Sequence, residues 1–185
     1  MSDVVSNRNH GNSEVEDVSV TNVRFASGAM GVLVASLLRH GEGQRLVVDG
    51  VEGSIEIPHR ISVSRQLDNG YPEADEARRL ELERLYAGLP DTGASGHDGQ
   101  VEDMIRAVET GGEPLVGGRD GRRTIEFVSA VYQSAFTGTP VTLPMSARDP
   151  FYTKSGILAG ATKFHEKTAS VSGYADTGIS VGGTL

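Results

Sequence analysis

Residues 30–38, MGVLVASLL, carry apolar side chains on both faces of a candidate β-strand: Met30, Val32, Val34 and Leu38 on one, Leu33, Ala35 and Leu37 on the other. Successive strand side chains point to opposite faces, so a half-solvated strand alternates while a strand covered twice does not. This strand therefore requires cover on two sides. Helices of the same chain can supply one layer, and a second subunit is the expected source of the other.

The surrounding sequence gives that strand its neighbours. Residues 15–66 read as an antiparallel meander, with one hairpin turning at Ala26-Ser27-Gly28 and a second at residues 49–53, where glycine stands at positions 50 and 53. Glycine accepts the positive φ that such turns demand. "RISVSRQ" follows as the last strand of the meander. Beyond the turn residues Asp68-Asn69-Gly70 and Pro72, residues 73–88 read as a charged surface helix with Leu82, Leu85 and Leu89 near one stripe. A second helix is expected over residues 98–110, with Val101, Met104, Ile105 and Val108 at buried-stripe spacing. A third is expected over 122–137, with Ile125, Val128, Val131, Tyr132, Ala135 and Phe136 facing inward and Gly138 as its stop. "VTLP" reads as a short closing strand. The fold class is accordingly α/β in the α+β sense. It is an open, mostly antiparallel sheet with helices packed on one face and the other face available for oligomerisation.

At 185 residues the chain is long enough for one domain with a core. That domain is assigned to residues 1–148. Residues 149–185, rich in glycine, serine and threonine, are expected to form an arm or frayed tail. Cysteine is absent and the formal charge is −8. A cysteine-free chain fits a reducing compartment, and the cytoplasm is the expected location. The acidic balance argues against a nucleic-acid partner, and no window approaches the roughly 18 apolar residues of a membrane span. Histidines 10, 40, 59, 97 and 165 show no zinc-helix spacing, so no metal is expected.

One stretch invites a nucleotide reading. Gly117-Gly118-Arg119-Asp120-Gly121 opens the third helix. A dinucleotide fingerprint needs G-x-G-x-x-G after a buried strand and an acid about twenty residues further on, and a P-loop needs Gly-Lys-Ser/Thr. Neither pattern is met. The bend is read as a loop whose Asp120 caps the helix amides.

Read as a unit, residues 96–144 resemble the C-terminal part of the Gfo/Idh/MocA oxidoreductases, the family of glucose-fructose oxidoreductase and inositol 2-dehydrogenase. The features are His97 and Gln100 opening a helix, "GGEP", the "GRDGRR" loop, the "AVYQSA" helix and the closing "V-x-LP". "EVEDVSVTNVRFASGAMGVLVAS" and "VVDGVEGSIEI" are similar to that family's sheet, so the likeness covers most of residues 15–150. It implies a C-terminal α/β domain that closes over a nicotinamide held by a separate Rossmann domain, contacts substrate, and assembles through the other face of its sheet.

The departures from the family are as informative. The chain has no dinucleotide fingerprint, no lysine before Lys154, and no histidine preceded four residues earlier by aspartate. No catalytic residue is assigned, and no cofactor is expected to bind this chain alone. NAD(P) is implied for the complete family enzyme, since hydride transfer needs both a held cofactor and a proton acceptor. The resemblance makes His97 and Gln100 substrate contacts. Arg60 and Arg65, on the last strand, are candidates to reach a polyol or carboxylate, the alternative being solvated edge arginines. The expected function is the substrate-contact and oligomerisation domain of an NAD(P)-dependent sugar or polyol oxidoreductase, truncated or split and inactive alone. Its partners would be further copies and a separate Rossmann-domain chain. The alternative is a non-catalytic sugar-binding or assembly module of the same fold; a small hydrolase built on His97 and Asp98 lacks an activated nucleophile.

Overall fold

The computed structural model describes residues 1–6, 14–40, 43–57, 59–90 and 96–168. His10 and residues 169–185 of the expected arm lie outside them. The fold is α/β, built from open antiparallel sheets and helices. It divides into two compact units, Met1–His40 with Glu113–Leu185, and Gly41–Gly112.

The first unit is built on a three-stranded sheet in the order β1 (Ser2–Val5), β2 (Val18–Arg24) and β3 (Met30–Ser36). The β2–β3 turn uses Gly28 at φ 91°, as the sequence predicts. The register sets Ser2 opposite Thr21 and Thr21 opposite Leu33, while Val20 faces Val34. Residues directly opposite share a face, so Ser2, Val4, Thr21 and Leu33 form one side and Val20, Val32 and Val34 the other.

Helix α3 (Gly118–Thr137) packs on the first side, along β1. Ser134 Oγ accepts from the Ser2 N–H at 2.9 Å, which satisfies a backbone donor on the edge strand. Ser2, Val4 and Thr21 are buried there. The expectation that helices of the same chain cover one side of β3 is corrected. The helix lies at the opposite edge of the sheet, so Leu33 stays half exposed, and the far face is open, with Val32 67% and Val34 65% exposed.

The expected inward stripe of α3 is also corrected. Glu126, Ser129, Ala130 and Ser134 are the buried positions, whereas Ile125 and Val128 are exposed. Small side chains let the helix backbone approach the strand closely, and the larger Tyr132 and Phe136 sit beside that contact, stacked at 5.8 Å. Gly138 ends the helix at φ 66°.

"VTLP" pairs with no strand. The chain instead turns back onto α3, where Met145 N–H donates to Glu126 Oε1 at 2.7 Å and Gln133 Nε2 donates to Asp149 Oδ2 at 2.7 Å. A 3-10 turn (Pro150–Tyr152) and helix α4 (Lys154–Gly160) follow, each capped by its preceding side chain, Asp149 and Thr153. Within the segment read as an arm, residues 150–160 are thus mostly helical, and side-chain bonds such as Gln133 to Asp149 and Arg122 to Tyr152 tie their start to α3. Further on, Phe164 N–H donates to the Glu14 carbonyl at 3.0 Å, and Lys163 pairs with the Glu14 carboxylate at 3.2 Å.

The second unit holds β4 (Leu46–Asp49), β5 (Ser54–Ile57) and β6 (Arg60–Ser62) in one antiparallel sheet, and β7 (Ser64–Gln66) with β8 (Pro72–Ala74) in another. The "RISVSRQ" strand is thus broken at Val63, and its two halves take different partners. The helix expected from residue 73 begins three residues later as α1 (Glu76–Ala87), because Asp75 caps it by accepting from Arg78 N–H at 3.0 Å. Helix α2 (Gly96–Thr110) follows. Its expected buried stripe is corrected as well: Val101, Met104, Ile105 and Val108 are exposed, and Ala107 alone is buried along it.

Candidate functional site

The first turn of α2 carries the pair singled out from the sequence. His97 and Gln100 stand three residues apart, so a helix brings them to one face. His97 Nδ1 lies 3.4 Å from Gln100 Oε1, and both side chains are exposed. An amide oxygen can only accept, so in the neutral ring this nitrogen carries the proton. Nε2 is then left as an acceptor, and the Gln100 amide nitrogen remains a donor. One acceptor and one donor within a single turn can hold a pair of hydroxyl groups.

The two arginines are engaged differently. Arg60 sits directly opposite Glu56 across β5–β6 and pairs with it at 3.2 Å, while Arg45 reaches the other oxygen of the same carboxylate at 2.5 Å. Arg65 sits directly opposite Glu73 across β7–β8, with Nη2 and Nε at 2.6 and 3.0 Å from Glu73 Oε2. Both are therefore cross-strand ion pairs on the surface. Among the described residues no hydrogen bond or ion pair joins either arginine to His97 or Gln100. The residues are not brought into one cluster by such bonds.

The glycine bend can be tested as an anion cradle. Gly117 caps α3, and Asp120 Oδ2 accepts from the Gly117 N–H at 3.2 Å, while Asp120 Oδ1 meets Arg123 at 3.4 Å. The acid that would repel a phosphate already occupies the helix start, where the dipole favours negative charge. No strand leads into the bend, and every described strand pair is antiparallel. A pyridine dinucleotide cradle needs a parallel βαβ unit, so the residues described do not fit that cofactor, and no chemical step is routed through it.

Some residues escaped the sequence reading. Glu126 is 7% exposed and joins Met145 N–H to Arg122, and Tyr132 donates to Glu16 Oε1 at 2.6 Å. The only signal for Glu126 was a charge at i+4 from Arg122. Burial, with help from Glu16, pushes the Tyr132 phenol up to about 12.

Sequence comparison decides the ancestry of this architecture. Residues 2–143 match the family described as "Oxidoreductase family, C-terminal alpha/beta domain". The chain belongs to the Gfo/Idh/MocA oxidoreductase family. No curated protein matches it in sequence. Among solved structures, it is similar to the WlbA dehydrogenase from Bordetella pertussis, crystallised with NADH and UDP-GlcNAcA. The two share 20% identity with a TM-score of 0.55, over 78% of this chain and 41% of that one. An oxidoreductase domain protein from Kribbella flavida shares 17% identity with a TM-score of 0.48, over 75% of this chain and 43% of that one. The Gfo/Idh/MocA domain described here thus spans less than half the length of either chain. None of its helices, among the described residues, is long and apolar enough to cross a membrane.

Proposed function

We propose that this chain is the substrate-contact and assembly domain of an NAD(P)-dependent sugar or polyol oxidoreductase, acting in the cytoplasm and inactive without a Rossmann domain. The observation that carries the reading is the family match over residues 2–143, which covers the sheet and all three longer helices.

Within that reading His97 and Gln100 contact substrate. The free Nε2 acceptor and the amide donor suit a pair of adjacent hydroxyls, and no charge on the ligand is required. Arg60 and Arg65 take part only if Glu56 and Glu73 release them. The open face of β1–β3 supports self-assembly, since an apolar patch beside an edge strand is costly to leave in water.

Calorimetric titration with NADH and NADPH, together with sedimentation velocity, tests both halves of the proposal. The expected result is no cofactor binding up to millimolar concentration and a self-associated species that Val34→Lys converts to monomer. Tight binding of either nucleotide by this chain would overturn the division of labour, and a monomeric wild type would overturn the assembly role. Turnover that appears only on mixing with a Rossmann-domain chain, and drops in His97→Ala, would support the substrate-contact role.

A further inference from the structure

The turn that joins β7 to β8 contains Asp68-Asn69-Gly70, and Asn69-Gly70 is the one Asn-Gly step in the chain. The backbone nitrogen that follows an asparagine can attack the side-chain amide carbon and close a succinimide ring. A side chain on the following residue shields that nitrogen, and glycine has none. Asn69 and Gly70 are both exposed, and a Cβ at Gly70, where φ is 84°, would meet no atom within 4 Å. Water reaches the step freely. Asn69 Oδ1 accepts from the Tyr71 N–H at 3.0 Å. The amide is thus folded forward over the Gly70 peptide, and the bond draws electron density from Cγ, the atom to be attacked.

One bond restrains the nucleophile. The Gly70 N–H donates to the Leu67 carbonyl at 2.8 Å, and it must let go before the nitrogen can lose its proton. The hairpin β7–β8 is a ribbon of two strands and three residue pairs. Ribbons of two strands are marginal by themselves and open locally. Asn22, the other asparagine among the described residues, supplies an internal control. It is exposed as well, but the β-branched Val23 follows it. Its backbone is also held in the sheet, where its N–H donates to the Met1 carbonyl at 2.9 Å and its carbonyl accepts from the Met1 amino group at 3.0 Å.

We propose that Asn69 is a site of spontaneous deamidation, with water as the sole co-reactant. The Gly70 nitrogen gives its proton to hydroxide and bonds to Asn69 Cγ. The bond from Cγ to the side-chain nitrogen breaks, and ammonia departs after taking a proton from water, which restores the hydroxide. Water then opens the succinimide at one of its two carbonyls. Opening at Cγ gives aspartate, and opening at the main-chain carbonyl gives isoaspartate, whose main chain runs through Cβ. Either product adds a negative charge beside Asp68. Aspartate keeps an acceptor for the Tyr71 N–H, whereas isoaspartate lengthens the main chain inside the turn, against the register that sets Arg65 opposite Glu73. The site does not depend on the oxidoreductase reading.

The test incubates the full chain in mildly alkaline buffer and follows residues 66–78, which trypsin releases by cutting after Arg65 and Arg78, by mass spectrometry with fragmentation. Position 69 should gain the mass of an amide-to-carboxyl exchange, at a rate within tenfold of the same peptide free in solution and rising with hydroxide concentration. Isoaspartyl methyltransferase should label the product, and position 22 should stay unconverted. Asn69→Gln, whose longer side chain closes a ring far more slowly, should lower the gain over residues 66–78 at least tenfold. A gain that persists in this variant would put the reaction at another residue and overturn the assignment. If position 69 stays intact in the folded chain while the free peptide converts, the Leu67 bond closes the site and the proposal falls. Conversion of positions 22 and 69 at equal rates would overturn it too, because unfolding rather than the hairpin would then be exposing the amide.

Discussion

The two units hold themselves together by different means. In Met1–His40 with Glu113–Leu185, distant segments meet through two buried polar bonds, Ser2 to Ser134 and Met145 to Glu126, and a half-buried one, Tyr132 to Glu16. In Gly41–Gly112 the helix over the sheet buries no residue of its own, and its polar links to the sheet, Arg78 to Glu52 and Glu83 to His59, lie at the surface beside an open groove. Buried polar groups are expensive to leave unpaired, while exposed pairs gain little over water. The first unit should therefore be sensitive to single deletions and the second tolerant of them. That contrast is open to direct attack.

The largest loss is expected at Glu126. Its removal in Glu126→Ala leaves the buried Met145 N–H without an acceptor and undocks the segment that follows α3, at a cost of about 3 kcal/mol. Glu126→Gln keeps an acceptor oxygen and should recover more than half of that. Urea unfolding followed by circular dichroism measures both. If the two variants unfold together, the Met145 bond is not what holds the segment.

Gly156→Ala comes next. A Cβ at this position in α4 would collide with the Pro150 carbonyl oxygen and crowd the Thr153 hydroxyl. Overpacking against backbone costs roughly 2 kcal/mol, and the measured effect should fall entirely on the docked segment. Hydrogen exchange of the amides of residues 150–160 should accelerate while those of β4–β6 do not.

These two sites show where sequence reading succeeded and where it stopped. Turns were legible because the chain must reverse there and glycine marks the place: Gly28, Gly70 and Gly138 all take positive φ. His97 and Gln100 were singled out through the family resemblance, and their i,i+3 spacing on a helix accounts for their proximity. Strand β1 was not, because its four residues acquire meaning only from Ser134, 132 positions away. The register of α3 was misread for a related reason. Hydrophobic periodicity assumes that large apolar side chains do the packing, whereas this helix approaches an edge strand with Ser129, Ala130 and Ser134. The ion pairs of the arginine candidates were not legible, because their partners are set by strand register, which places Glu56 opposite Arg60 and Glu73 opposite Arg65. No local pattern specifies that pairing.

Tyr132→Phe offers a third, smaller perturbation with a pH signature. Burial first, and the Glu16 carboxylate second, favour the protonated phenol and move it up to about 12 from 10.0. A proton held more tightly in the folded state stabilises it fully below pH 10, and that contribution disappears as pH rises toward 12. Tyr132 is only half-buried, so solvent screening limits the effect to about 1 kcal/mol. Wild type should lose stability across that interval and Tyr132→Phe should lose less, starting from a lower value at pH 8. Parallel pH curves for the two proteins would mean that the Glu16 contact does not form in solution.

The smallest effect belongs to the second unit and completes the comparison. Arg78 holds Glu52 and Glu81 at once, and its guanidinium is raised above its ordinary range by hydrogen bonds to Glu81 and then Glu52. Both partners lie in solvent, where water replaces a lost bond and salt screens the charge. Arg78→Ala should therefore lower the urea midpoint only slightly, and that small shift should vanish in 0.5 M salt. A loss as large as that of Glu126→Ala would mean that the Arg78–Glu52 tie, rather than apolar contact with Ile61, is what keeps α1 over its sheet.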